Sequence, residues 1–407
     1  MSAVVTAPGI AVADVPEAVV GLDPATGREV WTVPRTRGPL DPPAVDPSLG
    51  KGGVVVYPEG NGGAGTAVAA IDLTTRSPLW RMDLTRPARG APAIVDGTAY
   101  FGSQDDFVYA VDAADGRLLW KRKTEGPVDT SPAVDGGRVF VVAESTTLAE
   151  ARLYALSASD GSVAWTYAAT IRALGSTSPT VARGMVFVGM GDSRVHALDE
   201  ATGNLRWTAP VRSFFTAGAS PAIDGGDLYV ADVSGALYRF RVSDGVRIWD
   251  YQFDALSGTS GPVLVGGIAF LGLENGTVGA VDPAGFQIWS ARLSTGAVGP
   301  LTPAGDLLFA PTAPMKGETG GLVAFVHDPA GTLVHVVSPT RLRVLPGLLS
   351  FLIAAAIVMA LLLALFRLFV LRRRGRSPSE PAGDAAPAGA PERDGRPGDP
   401  VGEEVDA

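Results

Sequence analysis

The seven tryptophans of this chain all stand at one position of a repeated motif: Trp31, Trp80, Trp120, Trp165, Trp207, Trp249 and Trp289, at intervals of 49, 40, 45, 42, 42 and 40 residues. A period of about 40 to 45 residues is long enough for one four-stranded sheet with its turns, and such sheets bury both faces by packing around a common axis. The spacing therefore predicts a β-propeller. It also assigns every tryptophan to the repeat and leaves none to line a separate cofactor site.

The motif reads apolar, Asp, two or three residues, Gly, three residues, Trp, as in Asp23, Gly27, Trp31 and in Asp112, Gly116, Trp120. Its copies vary: Arg76 takes the glycine position, Ser157 and Arg241 take the aspartate position, and the copy from Asp282 to Trp289 is one residue shorter. Asp328 to His335 repeats the motif with histidine in place of tryptophan, an eighth, degenerate copy. Asp and Gly suit a tight turn between two outer strands, with Gly supplying a positive φ that other residues resist. Tryptophan suits the gap between neighbouring blades, where its ring buries apolar area and its N–H can reach a carbonyl.

Between copies, short β-rich runs such as 138–143 and 152–156 are bounded by Gly, Pro and Asp, and no helical period is sustained before residue 345. The predicted fold is all-β over residues 1–340: an eight-bladed propeller, about four strands per blade, closed so that its sheet edges are hidden.

These residues resemble the pyrroloquinoline-quinone-type (PQQ-like) propeller repeat, whose tryptophan-docking motif reads Ala-x-Asp-x-x-Thr-Gly-x-x-x-Trp; the stretch from Ala197 to Trp207 matches throughout. The resemblance covers about residues 2–337 and recurs eight times. It implies the fold and leaves the function open, because that superfamily holds quinoprotein dehydrogenases, the propeller lipoprotein of the outer-membrane assembly machinery, and binding domains without a cofactor.

From Val344 to Phe366 the chain has no charge and one hydroxyl, long enough to cross a bilayer, and predicts a transmembrane helix within 345–371. Arg367, Arg372, Arg373, Arg374 and Arg376 follow the run, against Arg341 and Arg343 before it, so the positive-inside rule places the C-terminus in the cytoplasm and the propeller outside. Residues 372–407 form a basic stop and then an acidic, Pro/Gly/Ala-rich tail too poor in hydrophobes to fold. The expected location is a plasma membrane, single-pass. An external propeller calls for an export signal, and Met1 to Asp14 reads instead as inner strands of the first blade, so a leader is expected upstream of Met1. A cytoplasmic propeller with a C-terminal anchor is the alternative orientation. The absence of cysteine excludes disulfides and a lipidated cysteine, a departure from the assembly lipoprotein.

Of the net charge of −9, the tail holds −6 and the flanks of the apolar run +7, leaving −10 on residues 1–340, which argues against nucleic acid as a partner. A dehydrogenase of the resembling family would need a stacking tryptophan over the channel, and often a vicinal disulfide, neither of which this chain can supply. His196, His327 and His335 show no zinc spacing, Asp105 and Asp106 sit in a tight turn, and no Gly-Lys-Ser loop or Gly-x-Ser-x-Gly elbow is present. No catalytic residue, cofactor or metal is expected.

Binding remains. Loops between second and third strands, and between blades, share one face of a propeller. Three of them are long: Pro58 to Ala67, Glu144 to Arg152, and Pro311 to Gly321, with Glu59, Asn61, Glu144, Glu150, Arg152, Lys316 and Glu318 as candidate contact residues. Arg81, Arg86, Arg89, Lys121, Arg122 and Lys123 form a basic cluster read mainly as a solvated outer face. The function expected is a membrane-anchored, non-catalytic scaffold for an envelope or membrane protein partner. Alternatives are an extracytoplasmic sensor of a small ligand or glycan and, less favoured, a quinone-dependent dehydrogenase.

Overall fold

Unbroken apolar runs become the middle strands. Val54–Glu59 is buried at all six positions, and Ala67–Asp72 at five of six, because each sheet has a neighbour on both faces. Outer strands alternate: in Glu29–Pro34 the buried positions are Trp31 and Val33, with exposed residues between them. In this computed structural model the described residues lie within 4–336, omitting 8–9, 16–17, 24–27, 35–41, 51, 61–64, 146, 172–174, 216–218, 258–260, 295, 305–306, 313–320 and 328–332. The chain divides into two units, Met1–Leu342 and Arg343–Ala407, and every described residue belongs to the first.

The described residues form eight four-stranded antiparallel sheets, each a meander from one contiguous segment: 4–34, 44–83, 88–123, 133–170, 180–210, 222–252, 263–292 and 302–336. First strands of successive sheets touch, and Thr302–Ala304 of the eighth touches Val4–Ala7 of the first. Between the fifth and sixth sheets the Thr180 hydroxyl donates to the Pro221 carbonyl at 2.7 Å. The architecture is a β-propeller. No helix among the described residues is long and apolar enough to cross a membrane. The apolar run from Val344 and the tail that follows it lie outside the described residues.

Adjacent sheets are tied by the motif. The indole N–H of Trp80 donates to Ala113 O at 2.9 Å, Trp120 to Ala158 O at 2.9 Å, Trp165 to Glu200 O at 3.0 Å, Trp207 to Val242 O at 2.9 Å and Trp249 to Pro283 O at 3.0 Å. Every acceptor lies in the turn of the following sheet, and the glycine of that turn lies against the ring. A Cβ on Gly203, whose φ is +72°, would meet the Trp165 ring at 2.5 Å. Arg76 keeps the turn without glycine by adopting a φ of 64°. The motif aspartate closes the turn from the other side: Asp199 accepts the N–H and hydroxyl of Thr202 at 2.9 and 2.8 Å. Hydrogen bonds from Arg206 and Thr202 hold its carboxyl down at about 2.

A bulge accompanies each of these tryptophans. Trp80 pairs with Ala70 while Pro78 pairs with Ile71, so Leu79 is the extra residue, and the same shift occurs before Trp31, Trp120, Trp165, Trp207, Trp249 and Trp289. The bulge adds local twist. It also turns the residue before tryptophan outward, and Val30, Leu79, Leu119, Ile248 and Ile288 are exposed there.

Two measurements test this fold. Gly203→Ala will lower the urea midpoint by about 3 kcal/mol of stability, through left-handed strain plus displacement of the indole. Gly137→Ala, at a φ of +72° with no atom near its Cβ, will cost about 1 kcal/mol. Because the Asp199 carboxyl is depressed when folded, the stability it contributes is complete above the ordinary carboxylate range and lost as pH falls toward about 2. Asp199→Asn will flatten the acid limb of a pH series of melting temperatures.

Candidate functional site

In an antiparallel meander, the turns between second and third strands lie at the same end as the connections to the next sheet. The fourth sheet extends beyond the fifth there. Its strands Arg138–Ser145, Glu150–Ser157 and Val163–Thr170 each have eight residues, where Met185–Met190, Arg194–Asp199 and Leu205–Pro210 of the fifth sheet have six. All the added residues fall at this end, raising a rim of about 7 Å at roughly 3.3 Å per residue. The sequence suggested a loop over Glu144 to Arg152; backbone pairing instead continues through Glu144↔Ala151 and Ser145↔Glu150, so the connection is 146–149. Ala149, at φ 50°, lets the chain reverse tightly enough for that pairing.

Alternation along the strands sends the rim side chains to two sides. Glu144 turns toward the fifth sheet, where both its oxygens accept the Gly175 N–H at 3.1 Å and one accepts the Ser176 hydroxyl at 2.5 Å. Burial pushes the Glu144 carboxyl above its usual range, partly offset by those hydrogen bonds, and the nearby Asp129 charge adds to the rise. Asp129 in turn accepts from the Gln104 amide at 2.9 Å. Arg152 faces the other way, pairing with Glu125 at 3.1 Å and Glu150 at 3.2 Å. Gly175 is packed so closely that a Cβ would lie 2.1 Å from Phe215 O, which continues the rim into the sixth sheet's approach.

Three large apolar side chains also stand exposed, Leu148 at 55%, Phe214 at 41% and Leu256 at 51%, and the Phe214 ring lies 4.0 Å from where a Cβ on Gly175 would stand. They occupy connections at the rim end, where no strand alternation accounts for them. Their backbones are held, Phe214 O accepting Val233 N and Leu256 O accepting Glu274 N, so the side chains are presented from anchored positions. Charged residues beside fixed exposed hydrophobes are what a protein-binding face requires.

Of the predicted contact residues, Glu144, Glu150 and Arg152 share this rim, and Glu59 lies apart, at the end of Val54–Glu59 and paired with Arg81. Asn61, Lys316 and Glu318 lie outside the described residues. The basic cluster is divided: Arg81 engages Glu59 and Asp83, Lys121 lies over the Phe107 ring, and Arg122 donates to Gly161 O at 2.6 Å. His196 is buried, with Nδ1 bonded to the Tyr167 hydroxyl at 3.0 Å and Nε2 to Asp192 at 3.1 Å. The Asp105 carboxylate accepts the Tyr109 hydroxyl at 2.7 Å. Among the described residues no three His, Cys, Asp or Glu are placed to hold a metal ion.

Residues 16–299 match, in four overlapping stretches, the family described as outer membrane protein assembly factor BamB. The chain belongs to this PQQ-like repeat family. The BamB of Moranella endobia is 25% identical over 295 residues, covering 66% of this chain and 72% of that protein. The match to Yersinia pestis BamB, 29% identical, covers 30% of this chain and a third (33%) of the relative's length. A quinohemoprotein alcohol dehydrogenase of Pseudomonas putida shares 33% identity over 127 residues, 28% of this chain and 17% of the enzyme. Among solved structures, BamB from Moraxella catarrhalis superposes with a TM-score of 0.61 at 17% identity, over 76% of this chain and 93% of its own, a likeness of fold.

Glu144→Ala will leave Gly175 N–H and the Ser176 hydroxyl without their acceptor and cost about 1–3 kcal/mol by denaturant titration. Since folding raises the carboxyl's pKa, its favourable contribution is full below the ordinary range and lost as pH rises through the raised value. Glu144→Gln will abolish that component of the pH dependence.

Proposed function

We propose that this chain is an eight-bladed, non-catalytic propeller of the BamB family that binds protein partners at the cell envelope through the rim formed by the fourth to sixth sheets. The observation that carries this reading is the exposure of Leu148, Phe214 and Leu256 on connections at the same end of the sheets as the Glu144, Glu150, Arg152 and Glu125 groups. A face of that kind offers apolar anchors for affinity and charges for orientation. A name that describes assembly, carried by relatives such as those of Moranella endobia and Salmonella typhimurium, supports a scaffold. The apolar run from Val344 to Phe366 supports attachment to a plasma membrane by one span, with the arginines after it holding the tail in the cytoplasm.

Leu148→Glu combined with Phe214→Ser will reduce site-specific cross-linking to envelope partners at least about tenfold, while melting shifts little because exposed substitutions cost within about 0.5 kcal/mol. An unchanged partner set would remove this face from consideration. Protease added to intact cells will digest the propeller if it lies outside the membrane; full protection would reverse the orientation.

A further inference from the structure

Strands of each sheet place three side chains in a cross-strand row facing the preceding sheet. In the third to sixth sheets the middle member is a ring: Tyr109, Tyr154, His196 and Tyr238. In the seventh it is Gly279, and the ring of Phe253 fills the space, 2.1 Å from where a Cβ would stand. In the second sheet the middle member is Ala69, between Tyr57 and Arg81, and the residue opposite it on the first sheet is Val33. Both partners are small at this interface, and a cleft of about 580 Å³ opens, lined by Val33, Pro34, Tyr57, Leu79 and Arg81 among others.

The cleft's polar corner joins Arg81 of this row to Glu59 of the next. Glu59, 5% exposed, is paired through one oxygen with Arg81, and among the described residues its carboxylate has no other partner. Arg81 is also held by Asp83 at 3.1 Å and by Gly65 O at 2.9 Å, leaving a spare N–H on each terminal nitrogen. An open carboxylate acceptor thus lies beside open guanidinium donors, against an apolar wall. Within the cleft the Glu59 and Arg81 charges cancel, the Asp83 carboxylate standing 81% exposed in solvent, and the pair complements the N–H and C=O of a peptide group. We propose that the cleft seats an uncharged apolar side chain of a partner polypeptide, with its flanking peptide amides bonded to Glu59 and Arg81. This rests on the scaffold reading above and adds a second, separate contact to it.

Minimal probes test the site in the full-length chain in detergent. N-acetyl-leucinamide will shift the methyl resonances of Val33 and Leu79 saturably, with a Kd of about 1 mM given its size. N-acetyl-lysinamide, and 3-methylbutanol without amides, will bind about tenfold more weakly or not at all. Ala69→Tyr, which installs the residue found in three other sheets, will abolish the response with the melting temperature retained; Ala69→Val, a smaller change, will weaken it. The proposal is overturned if no saturable shift occurs, if the alcohol or the lysine probe binds as tightly, or if Ala69→Tyr binds as well as the parent. If the probe binds but Ala69→Tyr cross-links the same cellular partners at the same yield, the cleft is not a partner site, and the rim remains untouched by that result. Loss of cross-linking from the rim variant alone would instead bear on the scaffold reading.

Discussion

The contact on which the molecule depends is an indole crossing from one sheet to the next. A four-stranded antiparallel sheet has no means of its own to fix the angle and distance of a neighbour, and two apolar faces alone would slide. The indole N–H supplies a directional bond to a carbonyl of the following turn, as from Trp120 to Ala158, and the ring supplies area that fits only where that turn has no side chain, as at Gly161. Each sheet is therefore positioned by the one before it. The aspartates act at the same place, since Asp72, Asp112, Asp199 and Asp282 accept backbone N–H groups within the turn and hold its glycine or Arg76 in the left-handed region.

Once the sheets are positioned this way, irregularity can accumulate at one end without disturbing the ring. The fourth sheet is longer by two residues in each of three strands, yet its motif end is in register with the fifth. Lengthening is absorbed wholly by the end opposite the tryptophan turns, where Glu144 ties the enlarged rim to the following connection through Gly175 and Ser176. A buried carboxylate that accepts from a neighbour's backbone is costly to desolvate, and here the cost is offset by hydrogen bonds that order two connections at once. The rim and the cleft between the first two sheets are both departures from the repeat, one by addition of residues and one by omission of a ring.

The same logic accounts for relatives with unlike names. In this chain the repeat is made by the turn and the indole, and a match to an assembly factor together with a partial match to a dehydrogenase is a likeness of repeat and fold, not of function. This chain's own departures from the repeat lie at an extended rim and in an inter-sheet gap, the Ala69 cleft.

Sequence alone was enough to determine the repeat, because the turn chemistry is local: Asp, Gly and Trp within nine residues must form the same structure wherever they occur, and a period near 42 admits few closed arrangements. It also placed Glu144, Glu150 and Arg152 at the end where the turns between second and third strands lie, since strand order alone decides which turns share a face. It could not tell that Glu144 and Arg152 face opposite sides, because that depends on register, and backbone pairing ran through Glu144 and Ser145, inside the stretch read as a loop. Nor could it show the bulge at each tryptophan, which leaves no composition signal, or the significance of Phe214 and Leu256, which look like core residues until their exposure is known. The cleft was the least legible feature of all. Ala69 and Val33 are ordinary strand residues, and only their meeting across an interface, where other sheets bring a ring, leaves the space unfilled. Local chemistry repeats along a chain and can be read from it; vacancy is a property of two surfaces together, and tertiary structure alone decides it.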